Sequence, residues 1–199
     1  MLDAKVTVII PVYGDLHFWL PMIARAQESV LKQTYPCKLI ISVSDNLRNA
    51  RNQYALEDES DYLVFLDADD ELKPDYIMNM LLSEGDIRVP SVHKYSDHPY
   101  PHNLRPDTDQ SWYRPKDLIT GNYIVVGAMI RTELFRSLGG FHDYESLEDW
   151  DLWLRAEEAG AIFTQCPGAV YKVHKRVGSR NSNKSFTEIL NNAKQRRGI

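Results

Sequence analysis

What this 199-residue chain has little of narrows the field first. Its two cysteines, Cys37 and Cys166, have no paired spacing, which argues against a disulfide framework or a zinc site and for isolated reduced thiols. No stretch approaches the roughly 18 consecutive apolar residues of a membrane span, so no transmembrane segment is expected. The opening "MLDAKVTVIIPVYG" carries an early acid and lacks the basic flank and cleavage site of a signal peptide; a cytoplasmic protein is expected. There is no internal repeat, no low-complexity tract and no overall basic excess, which argues against a dedicated nucleic-acid binder. The net charge of -5 is nevertheless uneven. From Lys172 onward eight Lys or Arg face one acid, Glu188, giving a tail near +7 after 171 residues near -12. Such a tail is either a solvated segment or a surface for an anionic ligand.

What is present reads as one α/β domain. At 43% hydrophobic residues the chain can fill one core and is short for two. "KVTVIIPVY" (5–13), "CKLIISVS" (37–44) and "DYLVFL" (61–66) are short apolar, β-branched runs expected to form buried strands. Helical patterns over 18–33 and from Asp45 or Asn46, either of which can cap, separate them. This alternation predicts a βαβ series in a layered α/β sandwich with a mainly parallel sheet and the three strand ends on one edge. Beyond it, the pattern predicts a helix over 73–85, a short strand "DIRVP" and a long loop over 91–117. A strand "NYIVVGAMI" (122–130) and helices over 131–140 and 146–160 come next. Two strands, "AIFTQ" and "GAVYKVHK", and a short polar helix from Phe186 complete the reading. A loop as long as 91–117 is a candidate lid or binding surface.

Carboxylates mark the chemistry. "YLVFLDADDEL" runs a buried strand straight into Asp67, Asp69 and Asp70, and ligands of open α/β sheets bind beyond the carboxyl ends of strands. Residues i and i+2 of an extended segment share a side, so Asp67 and Asp69 can converge and would suit a hard divalent cation, Mg2+ or Mn2+. The same acids could cap the helix near Pro74, or, in a haloacid-dehalogenase-like phosphatase, supply a nucleophile and its partner. That phosphatase motif usually follows the first strand, whereas this one follows the third. A second acidic group, "SLEDWDLWLR", offers a capping box from Ser146 to Asp149. Trp150, Trp153 and Leu154 would form the buried face of its helix, leaving Asp149 toward a cleft.

The order of "VTVIIPVYG", "ARN", "YLVFLDADDEL", "GGFHDYESLEDWDLWLRAEEAG" and "YKVHKRVGS" resembles the successive signatures of family 2 glycosyltransferases, which have the GT-A fold. The resemblance covers about residues 5 to 180 and implies one catalytic domain over 1–180, followed by the basic tail 181–199. It implies transfer of one sugar from a nucleoside-diphosphate sugar, commonly UDP-linked, to an acceptor hydroxyl with inversion, helped by Mn2+ or Mg2+. Carried over residue by residue, Asp149 is the general base, and Asp69, with Asp67, holds the metal. His174 completes the metal site or contacts the diphosphate. Pro11, Val12 and Tyr13 line the nucleobase pocket, Asp45 reads the base, Arg51 lies near the nucleotide, and Ala68 sits between the paired acids. Lys175, Arg176 and Arg180 would close over the diphosphate. The acceptor could be a saccharide, a lipid-linked sugar, a protein side chain, a small metabolite or a modified nucleobase.

The chain departs from the family pattern in three ways. A strand with an acidic, Gly-Ser-containing turn usually stands between the Asp45 position and "ARN", and it is missing here. The "QxxRW" signature of processive members is absent, so a single transfer is expected. No separate acceptor domain remains once the catalytic core is counted. The alternatives are a DxD phosphohydrolase, in which Asp149 would be dispensable, and a non-catalytic nucleotide-sugar or glycan binder.

Overall fold

The computed structural model describes residues 3–96, 107–109, 118–175 and 184–199. Alternation along the first strands explains the layers. In β1 (Val6–Tyr13) Val6, Val8, Ile10 and Val12 face one side of the sheet and Ile9 the other; in β3 (Tyr62–Phe65) Tyr62 and Val64 face the first side, Leu63 and Phe65 the second. The first side packs against α1 (Leu16–Leu31) through Ile23, Ala26 and Val30, and against α3 (Tyr76–Leu81) through Tyr76, Ile77 and Met80. Against the second side lie α2 (Leu47–Ala55), α4 (Thr132–Ser137), α5 (Glu148–Glu158) and α6 (Phe186–Arg197). The result is the expected three-layer α/β/α sandwich.

The remaining strands are β2 (Lys38–Ser44), β4 (Glu71–Leu72), β5 (Ile87–Ser96), β6 (Asp107–Asp109), β7 (Met129–Arg131) and β8 (Phe163–Lys175). The sheet order is β2-β1-β3-β7-β5-β8-β4, with β6 on β5. β1, β2, β3, β5 and β8 run in one direction, and β4, β6 and β7 oppose them. The ends of β1, β2 and β3 therefore share an edge, as the βαβ series predicts. Asp15 caps α1 and Asn46, rather than Asp45, caps α2 by accepting the Asn49 amide at 2.8 Å. Among the described residues no helix is long and apolar enough to cross a membrane.

Four expectations are corrected. The run 122–130 is a strand only at Met129–Arg131. Its preceding residues are buried as irregular chain because side chains satisfy their carbonyls: Trp153 Nε1 donates to Ile124 O at 3.2 Å and Tyr76 to Gly127 O at 2.6 Å. An apolar run alone does not distinguish these cases. The expected loop 91–117 begins instead as the continuation of β5 through Ser96, and it contains β6; 97–106 and 110–117 lie outside the described residues. The two late strands are one, β8, interrupted by three extra residues, 167–169, between the pairs Pro90–Cys166 and Ser91–Val170. Ser146 does not cap α5: Leu147 does so in a left-handed conformation (φ 62°), while Ser146 exchanges hydrogen bonds with Ser185.

The basic tail is also placed. Arg196 and Arg197 of α6 pair with Glu157 and Glu158 of α5, and Ile189 and Ala193 are fully buried. This end of the tail is part of the core packing; Arg176 and Arg180 lie outside the described residues, as does the Lys175 side chain.

Gly127 has no room for a side chain, since a Cβ there would stand 2.2 Å from the fully buried Tyr171 ring. Gly127→Ala is expected to lose about 1–3 kcal/mol in urea denaturation, the range for overpacking a filled core.

Candidate active site

A cleft of about 670 Å³ opens at the carboxyl ends of β1 and β3. Pro11 and Tyr13 line it from β1, Phe18 and Trp19 from the start of α1, and Asp67 to Asp70 from the turn after β3. Arg51, Lys94, Asn122, Ser146, Glu148, Asp149 and His174 complete the polar lining. The sheet thus brings together Pro11, Tyr13, Arg51, Asp67, Ala68, Asp69, Asp149 and His174. Two expected residues stay out. Val12 points into the core at 1% exposure, because neighbours along a strand face opposite sides. Asp45 is exposed beyond the cleft and accepts from Ser44, Asn46 and Asn49, contacts that lower its carboxyl below the usual range.

Arg51 lines the cleft with its guanidinium engaged by two carboxylates. At 3% exposure its guanidinium donates to Asp67 Oδ1 at 2.8 Å and to Glu148 Oε1 at 2.5 Å, over the Phe141 ring at 4.9 Å. Its neighbour Asn52 clamps the backbone of Phe141 in both directions, at 2.8 and 3.0 Å. Gly140 makes that approach possible: its φ is 73°, and a Cβ would meet Asn52 Oδ1 at 2.7 Å. The "ARN", "GGF" and "LED" stretches are thereby one physical assembly. Glu148, which the helix dipole alone would explain, is the missed member of it.

The acid turn is tied to β8 with equal care. The Asp67 amide donates to the Tyr171 hydroxyl at 3.1 Å, and Asp70 accepts the His174 amide at 2.8 Å. Asp70 is 5% exposed, and burial first, then Asp67 and Asp69, push its carboxyl well above the usual range. It is the structural member of the three. Burial likewise raises Asp67, offset by Arg51 and reinforced by the like charge of Asp69. Two carboxylates in mutual repulsion, lining one cleft, are a donor set that a hard divalent cation would relieve, with water and phosphate oxygens completing its shell.

His174 does not join them as a third donor. Its Nε2 lies 2.7 Å from Glu71 Oε1, its ring stacks on Tyr95, and Glu71 also meets Arg25 at 3.7 Å and Lys172 at 3.4 Å. Among the described residues no three His, Cys, Asp or Glu side chains are grouped to hold a metal. The pairing Glu71–Lys172 across β4 and β8, a two-residue strand with no sequence signal, sets this arrangement.

Asp149 stands in the first turn of α5. Its Oδ1 accepts Asn122 Nδ2 at 3.0 Å and the Trp150 amide at 2.9 Å. A helix N-terminus by itself would depress the carboxyl. Burial and the adjacent Glu148 win instead, over Arg51 and the two hydrogen bonds, and raise it to about 7. A carboxylate so poised takes up and releases protons near neutral pH.

No protein-family model matches the chain, and no curated protein does. Solved structures do. S. aureus TarS 1–349 in complex with UDP-GlcNAc superposes with a TM-score of 0.68 at 15% identity, covering 96% of this chain and 66% of that one. Its complex with UDP gives 0.69 at 15% identity, with 96% and 65% covered. The mannosyltransferase PcManGT from Pyrobaculum calidifontis, in complex with GDP-Man and Mn2+, gives 0.59 at 17% identity, with 89% and 58% covered. The chain spans about 65% of the length of the TarS fragment it matches. At these identities the likeness establishes the fold: a GT-A-type α/β architecture.

Removing the Arg51 guanidinium leaves Asp67 and Glu148 without their counter-charge. Arg51→Met is expected to cost about 3 kcal/mol, the low end for a buried pair because Asp67 keeps 37% of its side chain exposed. Asp67, already raised by burial in the wild type, loses the one partner that holds it down, so the variant's folded state binds more protons than the wild type's does. Its deficit in urea denaturation should therefore grow from pH 5 to pH 8.

Proposed function

We propose that this protein is a metal-assisted, inverting glycosyltransferase of the family 2 type, moving one sugar from a nucleoside-diphosphate sugar to an acceptor hydroxyl. One observation carries the reading: a single cleft at the carboxyl edge of the sheet holds both a repelling carboxylate pair, Asp67 and Asp69, and a carboxyl raised to about 7, Asp149. The nucleotide sugars and Mn2+ bound by the structural neighbours support it.

In this mechanism Pro11 and Tyr13 form the nucleobase wall, Tyr13 offering its ring for stacking. Asp69 is the residue that would hold the cation, with Asp67, anchored on Arg51, beside it. When bound, the cation supplies Lewis-acid stabilisation of the charge that develops on the leaving diphosphate. Asp149 takes the acceptor's hydroxyl proton. The acceptor oxygen then bonds to the anomeric carbon from the face opposite the leaving group, the bond to the diphosphate oxygen breaks, and the nucleoside diphosphate departs. A UDP-linked donor is the first candidate. A phosphohydrolase would use Asp67 as nucleophile, yet its Oδ1 is held by Arg51 at 2.8 Å, and Asp149 would have no task.

Incubation with UDP- and GDP-sugars, Mn2+ and a panel of hydroxyl acceptors tests this. Glycoside formation should rise with pH through about 7, as Asp149 loses its proton. Asp149→Asn should lower kcat by roughly 10²-fold or more, since a general base contributes about 10²–10⁴. Phosphate release from simple esters, unaffected by Asp149→Asn, would replace this reading with the phosphohydrolase.

A further inference from the structure

The segment between the 3₁₀ turn at Leu118–Thr120 and β7 contributes one polar side chain, Asn122, to the lining of the cleft, and no motif marks it. Asn122 Nδ2 donates to Asp149 Oδ1 at 3.0 Å, and the Trp150 amide donates to the same oxygen at 2.9 Å. Among the described residues both hydrogen bonds to the Asp149 carboxylate fall on Oδ1. The other oxygen, Oδ2, is then the one left to meet a substrate proton.

The other end of the amide bears on the argument. Asn122 Oδ1 is buried and has no hydrogen-bond partner among the described residues. A buried amide oxygen without a partner is destabilising, and a side chain that served only to fill space would gain nothing from carrying one. The orientation is imposed from the Asp149 side. A carboxylate only accepts, so the amide must turn its NH2 toward it and leave its oxygen unpaired. The segment holding Asn122 is fixed independently, because Trp150 and Trp153 of α5 donate to Leu118 O at 2.7 Å and Ile124 O at 3.2 Å. The same helix that carries Asp149 therefore also fixes the backbone on both sides of Asn122.

We propose that Asn122 is the positioning residue of the base, holding Oδ1 of Asp149 so that Oδ2 alone is presented to the acceptor hydroxyl. This rests on the glycosyltransferase reading. Among the described residues, Glu148 on its own helix and Arg51 on α2, the latter shared with Asp67, are charged groups that act on Asp149, and Lys94 of β5 lines the same cleft; Asn122 is its neutral side-chain donor. Its amide bond favours the ionised carboxylate and works against burial and Glu148. Transfer moves one proton from the acceptor oxygen to Oδ2, while Oδ1 keeps both of its donors.

The test pairs titration with kinetics. The carboxyl carbon of Asp149 is followed by NMR as pH is varied in wild type, Asn122→Ala and Asn122→Asp, each checked for an unchanged UDP dissociation constant and melting temperature. In Asn122→Ala the Asp149 titration should move upward by about one pH unit, the scale of one hydrogen bond to a charged group. Asn122→Asp, which adds a second carboxylate, should move it further. For an assigned donor, kcat at pH 7 should fall about tenfold or more in Asn122→Ala, the acidic limb of the pH profile should shift with the titration, and the donor KM should stay. On an Asp149→Asn background, Asn122→Ala should have no further effect on kcat. An unmoved titration, or a loss confined to KM, overturns the positioning role. If wild type itself transfers no sugar, the functional reading fails in that arm, while the titration still decides what Asn122 does to Asp149.

Discussion

A single buried guanidinium holds the two acidic halves of the cleft together. Asp67 lies in the turn after the third strand and Glu148 begins the fifth helix, 81 positions apart by their numbers, and Arg51 donates to both. Without it, the sheet edge and the α5 N-terminus would present carboxylates to one another across a buried space. With it, they become walls of one cleft. The cost of burying Arg51 is offset by two charge-assisted bonds and the Phe141 face beneath, and the partners pull its basicity up despite burial.

The other constraints follow from that one. Asn52, next in sequence, secures the glycine turn that leads into α5, so the helix start is fixed in position as well as in charge. On the far side, Asp70 and the Asp67 amide bind the acid turn to His174 and Tyr171 of β8. The turn is thus held from both sides. Preorganisation of this kind lets carboxylates face a substrate without rearrangement when charge develops.

Much of this was legible in the sequence because it is local. Short apolar, β-branched runs mark the first three strands, and the acids after a buried run mark the sheet edge of the cleft. The roles that local sequence does not reveal depend on long-range partners. Arg51 reads as a nucleotide contact until Asp67 and Glu148 are seen on either side of it. His174 reads as a ligand until β4, two residues long, brings Glu71 against its ring. Val12 stands between Pro11 and Tyr13 in sequence, though strand alternation turns it inward. Asn122 sits in a run whose apolar residues suggested a strand, and its hydrogen bond to Asp149 has no local signature.

The central claim is that the acid turn receives a nucleoside diphosphate through a cation. Calorimetric titration of UDP into the protein, with and without Mn2+, tests it most directly. The account predicts binding that Mn2+ strengthens at least tenfold in the wild type and leaves unchanged in Asp69→Ala, about 1.4 kcal/mol of metal-dependent affinity. Equal affinity with and without the metal, or no binding of UDP or GDP under either condition, would contradict it.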